Sequence, residues 1–229
     1  MGVVVAAAGL GTRLGAGMPK ALVRLDDRTL VQLACDRAEA AAGVASIVVV
    51  APPTHLPHFR ELLSESVTVV AGGVDRTDSV AAGLAALPAD VEVVLVHDAA
   101  RALAPTALFD AVTAAVVGGV DAVVPGLPVT DTIKAVDVAG HVTATPDRAT
   151  LRAIQTPQGF RRMALEAAHV DKTHTTDDAG LLERAGGKVV VIDGDVLALK
   201  ITVPVDLDSA RRLVNFTSRL RPKAASRTL

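Results

Sequence analysis

Residues 3–20 read VVVAAAGLGTRLGAGMPK, an apolar run that leads directly into a loop with four glycines and two cations. The continuous apolar run at residues 3–8 is typical of a strand that is buried on both faces. Glycines directly after a first strand let backbone N–H groups approach phosphate closely. The stretch therefore predicts an α/β fold whose first strand ends at a phosphate-binding loop. Arg13, a planar fork of donors, and Lys20, a mobile point charge, are expected to face the phosphates.

The loop fits neither of two common phosphate-binding motifs. A dinucleotide-binding turn of the Rossmann type requires G-x-G-x-x-G, but Leu14 stands where the third glycine would be. A Walker A loop ends in Gly-Lys-Ser/Thr, and this sequence does not contain that triplet. A purely structural glycine turn would not require two cations. We therefore predict a nucleotide-binding loop of another kind and disfavour a dehydrogenase.

Composition bounds the class of protein. The chain has 229 residues, of which half are hydrophobic and 2% aromatic, so the core is expected to consist of aliphatic side chains in one domain spanning 1–229. The net charge of −2 predicts no nucleic-acid partner, and no apolar run reaches the ~18 residues of a membrane span. The one cysteine, Cys35, cannot form an intrachain disulfide, which favours a cytoplasmic protein. From the length we expect no second catalytic domain.

The rest of the chain alternates between Val-rich runs and helical patterns, which predicts a mostly parallel sheet. Thr29 and Thr77 are expected to cap two of the helices. The predicted strands are 46–50, 67–71, 93–97, 121–125, 188–192 and 199–203. The predicted helices are 29–42, 54–64, 77–87, 105–117, 161–169, 177–185 and 205–220. The polar tail at 221–229 is expected to lie outside the fold.

A change of pattern after Pro125 predicts an arm. Two short alternating segments, 132–136 and 141–145, are joined by turn-forming residues at 137–140. We expect a β-hairpin that projects from the sheet at about 128–150. Because a long isolated hairpin needs a surface to stabilise it, the arm predicts a partner.

Polar residues follow the strand predicted at 93–97. His97, Asp98 and Arg101 stand together at its carboxyl end, where open α/β sheets bind ligands. Lys200 interrupts another apolar run, where a lysine is costly unless it is paired or faces a site. Asp98 could bind substrate hydroxyls, Mg²⁺, or both in turn. Spacing indicates neither a zinc site among the histidines nor a hydrolase triad around Ser79.

Several motifs together resemble the sugar-phosphate nucleotidyltransferases, and among them the cytidylyltransferases that act on methylerythritol phosphate. The resemblance spans the chain from about residue 3 to residue 208, although Ala102 stands where that family usually has proline. The motifs are AAGLGTR with PK at 7–13 and 19–20, GGVDRTDSV at 72–80, HDAAR at 97–101, DTIK at 131–134, DR at 147–148, TPQGF at 156–160, TDDA at 176–179 and LKIT at 199–202.

The resemblance implies a Rossmann-like nucleotidyltransferase fold, Mg²⁺ as cofactor, and a homodimer whose arms complete each other's sites. It implies that Arg13, Lys20, Arg148 and Lys200 are catalytic. The nucleotide-binding residues it implies are Ala7, Ala8, Gly9, Gly11, Gly73, Val74, Ser79 and Ala99. The substrate-binding residues it implies are Asp98, Arg101, Thr132, Arg148, Thr156 and Lys200, with Asp98 also a candidate metal ligand.

The implied reaction joins CTP to 2-C-methyl-D-erythritol 4-phosphate, giving 4-diphosphocytidyl-2-C-methyl-D-erythritol and pyrophosphate for isoprenoid synthesis by the non-mevalonate pathway. The attacking phosphate is already ionised near pH 7, so the absence of an obvious general base fits this chemistry. Two alternatives stay open. One is a cytidylyltransferase for a pentitol phosphate such as ribitol 5-phosphate, and the other is a non-catalytic nucleotide-binding module.

Overall fold

The computed structural model describes residues 1–170 and 177–220; the predicted tail and Thr176 of the TDDA motif lie outside them. The strands are β1 (Gly2–Ala6), β2 (Arg24–Leu25), β3 (Arg28–Thr29), β4 (Ser46–Ala51), β5 (Val67–Ala71), β6 (Val93–Asp98), β7 (Ala122–Pro128), β8 (Ala135–Val136), β9 (Val142–Ala144), β10 (Arg152–Ile154), β11 (Gln158–Arg161) and β12 (Val189–Asp193). The helices are α1 (Leu30–Glu39), α2 (Leu56–Leu62), α3 (Arg76–Ala85), α4 (Thr106–Val117), α5 (Arg162–Ala168), α6 (Asp178–Arg184) and α7 (Pro204–Leu220). None of these helices is long and apolar enough to cross a membrane.

The main sheet has the order β10-β7-β11-β6-β1-β4-β5, and β12 pairs with β7. Strands β5, β4, β1 and β6 run parallel to one another, and β12 runs parallel to β7. Strand β11 lies antiparallel between β6 and β7, and β10 is antiparallel to β7. The prediction of a mostly parallel central sheet is confirmed.

The central strands β1, β4 and β6 are buried on both faces, as their continuous apolar runs predict, whereas the edge strand β5 is only partly buried. Along β1, Val3 and Val5 join a core formed with α1, α2 and α4, whereas Val4 joins a second core formed with α3, α5 and α6. Large apolar side chains such as Phe59 and Phe109 lie fully buried in the first core. Because helices cover both faces, the carboxyl ends of the parallel strands are left open at one edge of the sheet.

The helix starts were only partly predicted. Thr29 caps α1 as expected, with Gln32 N donating to Thr29 Oγ1 at 3.3 Å and Gln32 Oε1 accepting from Thr29 N at 3.0 Å. The prediction that Thr77 caps α3 is wrong. Asp75 is the cap, and its Oδ1 accepts from Asp78 N at 2.9 Å. A carboxylate two residues earlier starts the helix sooner and leaves Thr77 inside it.

Besides the short strands β2, β3 and β10, which were not predicted, two segments differ from the sequence prediction. No strand forms at 199–203, because the amides of Thr202 and Val203 donate to the Asp206 carboxylate at 2.8 and 2.9 Å and begin α7. Strand β11 was not predicted, since its residues show no alternation of polar and apolar side chains. It forms because it fills the gap between β6 and β7, which sequence-local patterns do not reveal.

The arm is present as a two-stranded hairpin of β8 and β9, shorter than the predicted segments and with an irregular register. The Asp137 carboxylate accepts hydrogen bonds from the amides of Ala139 and His141, both at 2.9 Å, and so closes the turn. Apolar side chains on the arm are exposed, among them Val136, Val138 and Val142.

Candidate active site

A cavity of about 620 Å³ lies at the carboxyl ends of β1, β4, β5 and β6. It brings together most of the residues that the motifs predicted, from four separate stretches of the chain. Its lining comprises 6–12, Lys20, Ala21, 52–54, 73–76, Ser79, 98–100 and Lys200. The glycine loop, the GGVDRTDSV turn, the end of β6 and the Lys200 loop therefore share one site.

The glycine loop folds back so that Lys20 faces the cavity. Gly11 has a φ of 65°, and a Cβ added there would lie 2.5 Å from the Cβ of Lys20. The amide of Lys20 donates to Gly9 O at 3.3 Å, which closes the loop. Glycine at position 11 thus permits both the left-handed turn and the approach of Lys20. Arg13 is exposed on the 3₁₀ turn Thr12–Leu14 and does not line the cavity.

Positive charge is concentrated around Lys20. Burial lowers the pKa of Lys20, and the nearby cations Lys200, Arg13 and Arg101 lower it further, while Asp98 opposes them. A site that crowds cations in this way is stabilised by an anionic ligand, because the ligand relieves their repulsion. The electrostatics therefore suit a polyphosphate.

The turn between β5 and α3 is preformed for a ligand. Gly73 N donates to Ser79 Oγ at 3.1 Å, and Ser79 Oγ donates to Asp75 O at 2.7 Å. A side chain on Gly73 would overlap Asp78, so only glycine fits there. Val74 is 99% exposed at the rim of the cavity. Ser79 lines the cavity, but its hydroxyl is engaged in holding the turn.

Asp98 at the end of β6 is held between two cations. Its Oδ2 lies 2.7 Å from Lys200 Nζ, and its Oδ1 lies 3.7 Å from Arg76 Nη2. Burial alone would raise the pKa of Asp98, but Lys200 and Arg76 outweigh it and lower the pKa to about 2. Asp98 is therefore an anion at any physiological pH.

Arg76 is a cavity residue to which the sequence assigned no role. Its Nη1 donates to Asp178 Oδ2 at 2.6 Å, and Asp178 is completely buried at the start of α6. The Nε2 of His169 approaches the other oxygen of Asp178 at 3.5 Å. Arg76 stands inside the GGVDRTDSV motif, which was the available signal, but its partner lies 102 residues away.

Two predicted substrate residues support the site from behind. Arg101 does not line the cavity; it donates to the carbonyl oxygens of Ala198 at 2.6 Å and Ile154 at 3.0 Å. Thr156 is buried, and its Oγ1 accepts from Asp98 N at 3.0 Å. Ala102 has a φ of −53°, a value that proline also adopts, so the replacement keeps the backbone turn.

The two predicted residues of the arm lie outside the cavity of their own chain. Thr132 and Arg148 are both exposed, and Arg148 Nη1 donates to Thr130 O at 2.6 Å. A single chain therefore does not bring these two residues to Lys20 and Lys200.

The lining of the cavity suits a metal ion that is held partly by the phosphates of a ligand. The described residues contain no group of three or more His, Cys, Asp or Glu side chains that could hold a metal by themselves. Mg²⁺, however, is commonly bound by one or two carboxylates together with substrate phosphates. Asp98 supplies such a carboxylate, permanently ionised, inside the cavity.

Comparison with known proteins identifies the family. The family described as IspD, 2-C-methyl-D-erythritol 4-phosphate cytidylyltransferase, matches residues 1–215. A protein of that name from Nocardia farcinica is 52% identical over 93% of both chains. A bifunctional IspD/IspF enzyme from Clavibacter michiganensis is also 52% identical over 93% of this chain, which spans 54% of that longer relative.

Solved structures agree with the sequence comparison. The 2-C-methyl-D-erythritol 4-phosphate cytidylyltransferase from Thermus thermophilus superposes with a TM-score of 0.78 at 32% identity, covering 93% of this chain and 98% of that one. The 4-diphosphocytidyl-2C-methyl-D-erythritol synthase from Anaerococcus prevotii gives 0.83 at 26% identity, covering 93% and 95%. These matches confirm the predicted fold and the predicted enzyme class, a CTP-dependent nucleotidyltransferase. The chain belongs to the 2-C-methyl-D-erythritol 4-phosphate cytidylyltransferase family.

Proposed function

We propose that this chain transfers a cytidylyl group from CTP to 2-C-methyl-D-erythritol 4-phosphate, releasing pyrophosphate. The observation that carries the proposal is the cavity in which Lys20, Lys200 and Arg76 surround the ionised carboxylate of Asp98, next to a glycine loop. That arrangement suits two anionic substrates that must be brought together against their mutual repulsion.

The nucleotide occupies the part of the cavity formed by the glycine loop and the GGVDRTDSV turn. Backbone groups of Ala7, Ala8, Gly9 and Gly11 face the triphosphate, while Gly73, Val74, Ser79 and Ala99 surround the cytosine and ribose. All eight residues line the cavity, which supports this assignment. The turn around Gly73 is already held by Ser79, so little ordering is needed when the base binds.

Lys20 and Arg13 stabilise charge at the reacting α-phosphate. The nucleophile is a phosphate oxygen that is ionised near neutral pH, so the protein needs no general base. The remaining barrier is repulsion and alignment, which preorganised cations lower. Lys20 lines the cavity and Arg13 lies exposed on the turn next to it, which supports these two roles.

The acceptor phosphate is fixed by Lys200 and by Arg148 from a second subunit. Lys200 lines the cavity, whereas Arg148 and Thr132 lie on an arm with exposed apolar side chains, which favours a homodimer with exchanged arms. Asp98 binds the acceptor hydroxyls, the metal, or both in turn. Arg101 and Thr156 act on the acceptor site through the backbone that they hold.

Mg²⁺ would be held by Asp98 together with the substrate phosphates. The ion supplies charge neutralisation on the triphosphate. Since Asp98 is also paired with Lys200 and Arg76, its carboxylate would be shared between these two cations and the ion.

Pyrophosphate release tests the proposal directly. We expect release with CTP and methylerythritol phosphate and much slower release with ribitol 5-phosphate, whereas a non-catalytic module gives none with either. Lys20→Ala is expected to lower kcat by about 10²–10³ with a smaller effect on CTP affinity, by analogy with a lost oxyanion donor. Lys188→Ala, an exposed lysine outside the cavity, is the matched control and should keep wild-type turnover. Unchanged kcat in Lys20→Ala would refute the role of Lys20.

A further inference from the structure

Lys200 stands on a segment that has almost no secondary structure of its own. Only the short 3₁₀ turn Val196–Ala198 precedes it, so contacts from other elements must fix its position. On one side of Lys200, Ala198 O accepts from Arg101 Nη1 at 2.6 Å. On the other side, Ile201 N donates to Ala100 O at 2.9 Å. Lys200 therefore lies between two backbone positions, Ala198 and Ile201, that are hydrogen-bonded to other parts of the fold.

The start of the same segment is clamped by a buried amide side chain. Gln155 Nε2 donates to Asp195 O at 2.8 Å, and Asp195 N donates to Gln155 Oε1 at 2.9 Å. Gln155 is only 4% exposed, so both of its polar ends depend on this pairing. Gly194 N donates to Gly126 O at 3.0 Å, and a side chain on Gly194 would overlap Gln155. The contact between the amide and the 194–195 backbone is thus close and specific.

The neighbours of Gln155 hold the partner of Lys200. Thr156 Oγ1 accepts from Asp98 N at 3.0 Å, and Ile154 O accepts from Arg101 Nη2 at 3.0 Å. Residues 154–156 therefore contact both the strand end that carries Asp98 and the segment that carries Lys200. One rigid stretch sets the relative position of the two members of the ion pair.

We propose that Gln155 is a positioning residue for Lys200. It carries no charge and does not line the cavity, so it acts only by fixing the 194–200 segment against the end of β6. This inference rests on the proposed role of Lys200 in holding the acceptor phosphate. It assigns a function in catalysis to a residue outside the motifs.

A double-mutant cycle tests the proposal. Gln155→Met removes both hydrogen bonds at nearly constant volume and charge. We expect it to lower kcat/KM for methylerythritol phosphate by about 10- to 100-fold, the effect of a misplaced catalytic group, with KM for CTP changed less than about threefold. In a Lys200→Met background the same change should cost less than about threefold, because the group that it positions is already gone.

Gln32→Met is the matched control. Gln32 also uses both ends of its amide, with Nε2 donating to Leu62 O at 3.2 Å and Oε1 accepting from Thr29 N at 3.0 Å, but it lies outside the cavity. It should lower thermal stability and give equal, small kinetic effects in both backgrounds. Equal kinetic losses from Gln155→Met in both backgrounds, or no loss in a folded single variant, would overturn the proposal.

Two further outcomes are distinguishable. If Lys200→Met alone leaves kcat/KM unchanged, the proposed role of Lys200 fails, and the inference fails with it. If Gln155→Met does not fold, Gln155→Glu replaces it, since the carboxylate still accepts from Asp195 N but cannot donate to Asp195 O when ionised. That variant should show the same dependence on Lys200 with a smaller loss, and additive losses would contradict the proposal.

Discussion

Acidification should destabilise this protein through His97, which lies directly behind the active site. The ring is fully buried against Phe109, with ring centroids 4.9 Å apart, and its Nδ1 lies 3.1 Å from Thr156 Oγ1. That hydroxyl accepts from Asp98 N and can donate its own proton to Nδ1 when the ring is neutral. Burial lowers the pKa of His97 from 6.5 to about 4.

The sign and size of the effect follow from that pKa. The unfolded chain takes up a proton near pH 6.5, whereas the folded chain does not until about pH 4, so the free energy of unfolding falls as pH falls between these values. The loss amounts to about 2 kcal/mol by pH 5 and roughly 3 kcal/mol in full, at ~1.4 kcal/mol for each pH unit. Asp98 adds a separate loss at lower pH, since its pKa is lowered from 3.8 to about 2.

Urea denaturation at pH 8, 6.5, 5.5 and 5 measures this dependence. His97→Asn removes the titrating ring, so its stability at pH 8 should be lower but its decline towards pH 5 should be shallower by about 2 kcal/mol. His58→Asn, at an exposed position on α2, is the control and should keep the wild-type decline. Equal declines in His97→Asn and the wild type would refute the argument that the ring is neutral in the folded state.

Two further predictions concern the loop and the arm. Gly11→Ala and Gly15→Ala should each lower the free energy of unfolding by about 1–2 kcal/mol, because both positions have a φ near 65°. Only Gly11→Ala should also lower kcat, at least tenfold, because only its Cβ would displace Lys20. Equal effects of the two variants on kcat would contradict the loop geometry. Mixing Lys20→Ala with Arg148→Ala should restore about a quarter of wild-type activity under random subunit exchange, because half of the dimers then carry one intact site, and no recovery after verified exchange would exclude arm complementation.

Much of the fold was predictable because its signals are local. Continuous Val-rich runs predict β1, β4, β5 and β6 to within a few residues, and Thr29 is correctly identified as the cap of α1. Strand β11 was not predictable in this way, since Gln158–Arg161 forms a strand only because β6 and β7 leave room for it. The prediction of a strand at 199–203 failed for the opposite reason. The apolar pattern of this segment is that of a strand, but the amides of Thr202 and Val203 donate to the Asp206 carboxylate and begin α7.

The same distinction applies to the site. The glycine loop and the polar end of β6 are each recognisable from their local composition, so Lys20 and Asp98 could be identified as candidate site residues without a structure. Arg76 could not be given a role, because the position of its guanidinium depends on an ion pair with Asp178, which is far along the chain and fully buried. Gln155 carries no local signal at all, since its amide is significant only through its contact with Asp195.

The unpredicted antiparallel strand explains how the distant parts of the site meet. In the pairing of β11 with β6, Gln158 lies opposite Val96, so continuing the register two residues places Thr156 beside Asp98. Gly126 of β7 lies opposite both Ile154 of β10 and Asp193 of β12. The residues that follow these two, Gln155 and Gly194, can therefore contact each other over Gly126, which has no side chain to separate them. A parallel strand in place of β11 would run the other way and carry residues 154–156 to the opposite edge of the sheet. The antiparallel insertion is therefore what allows one short stretch to hold Asp98 and the Lys200 segment in register.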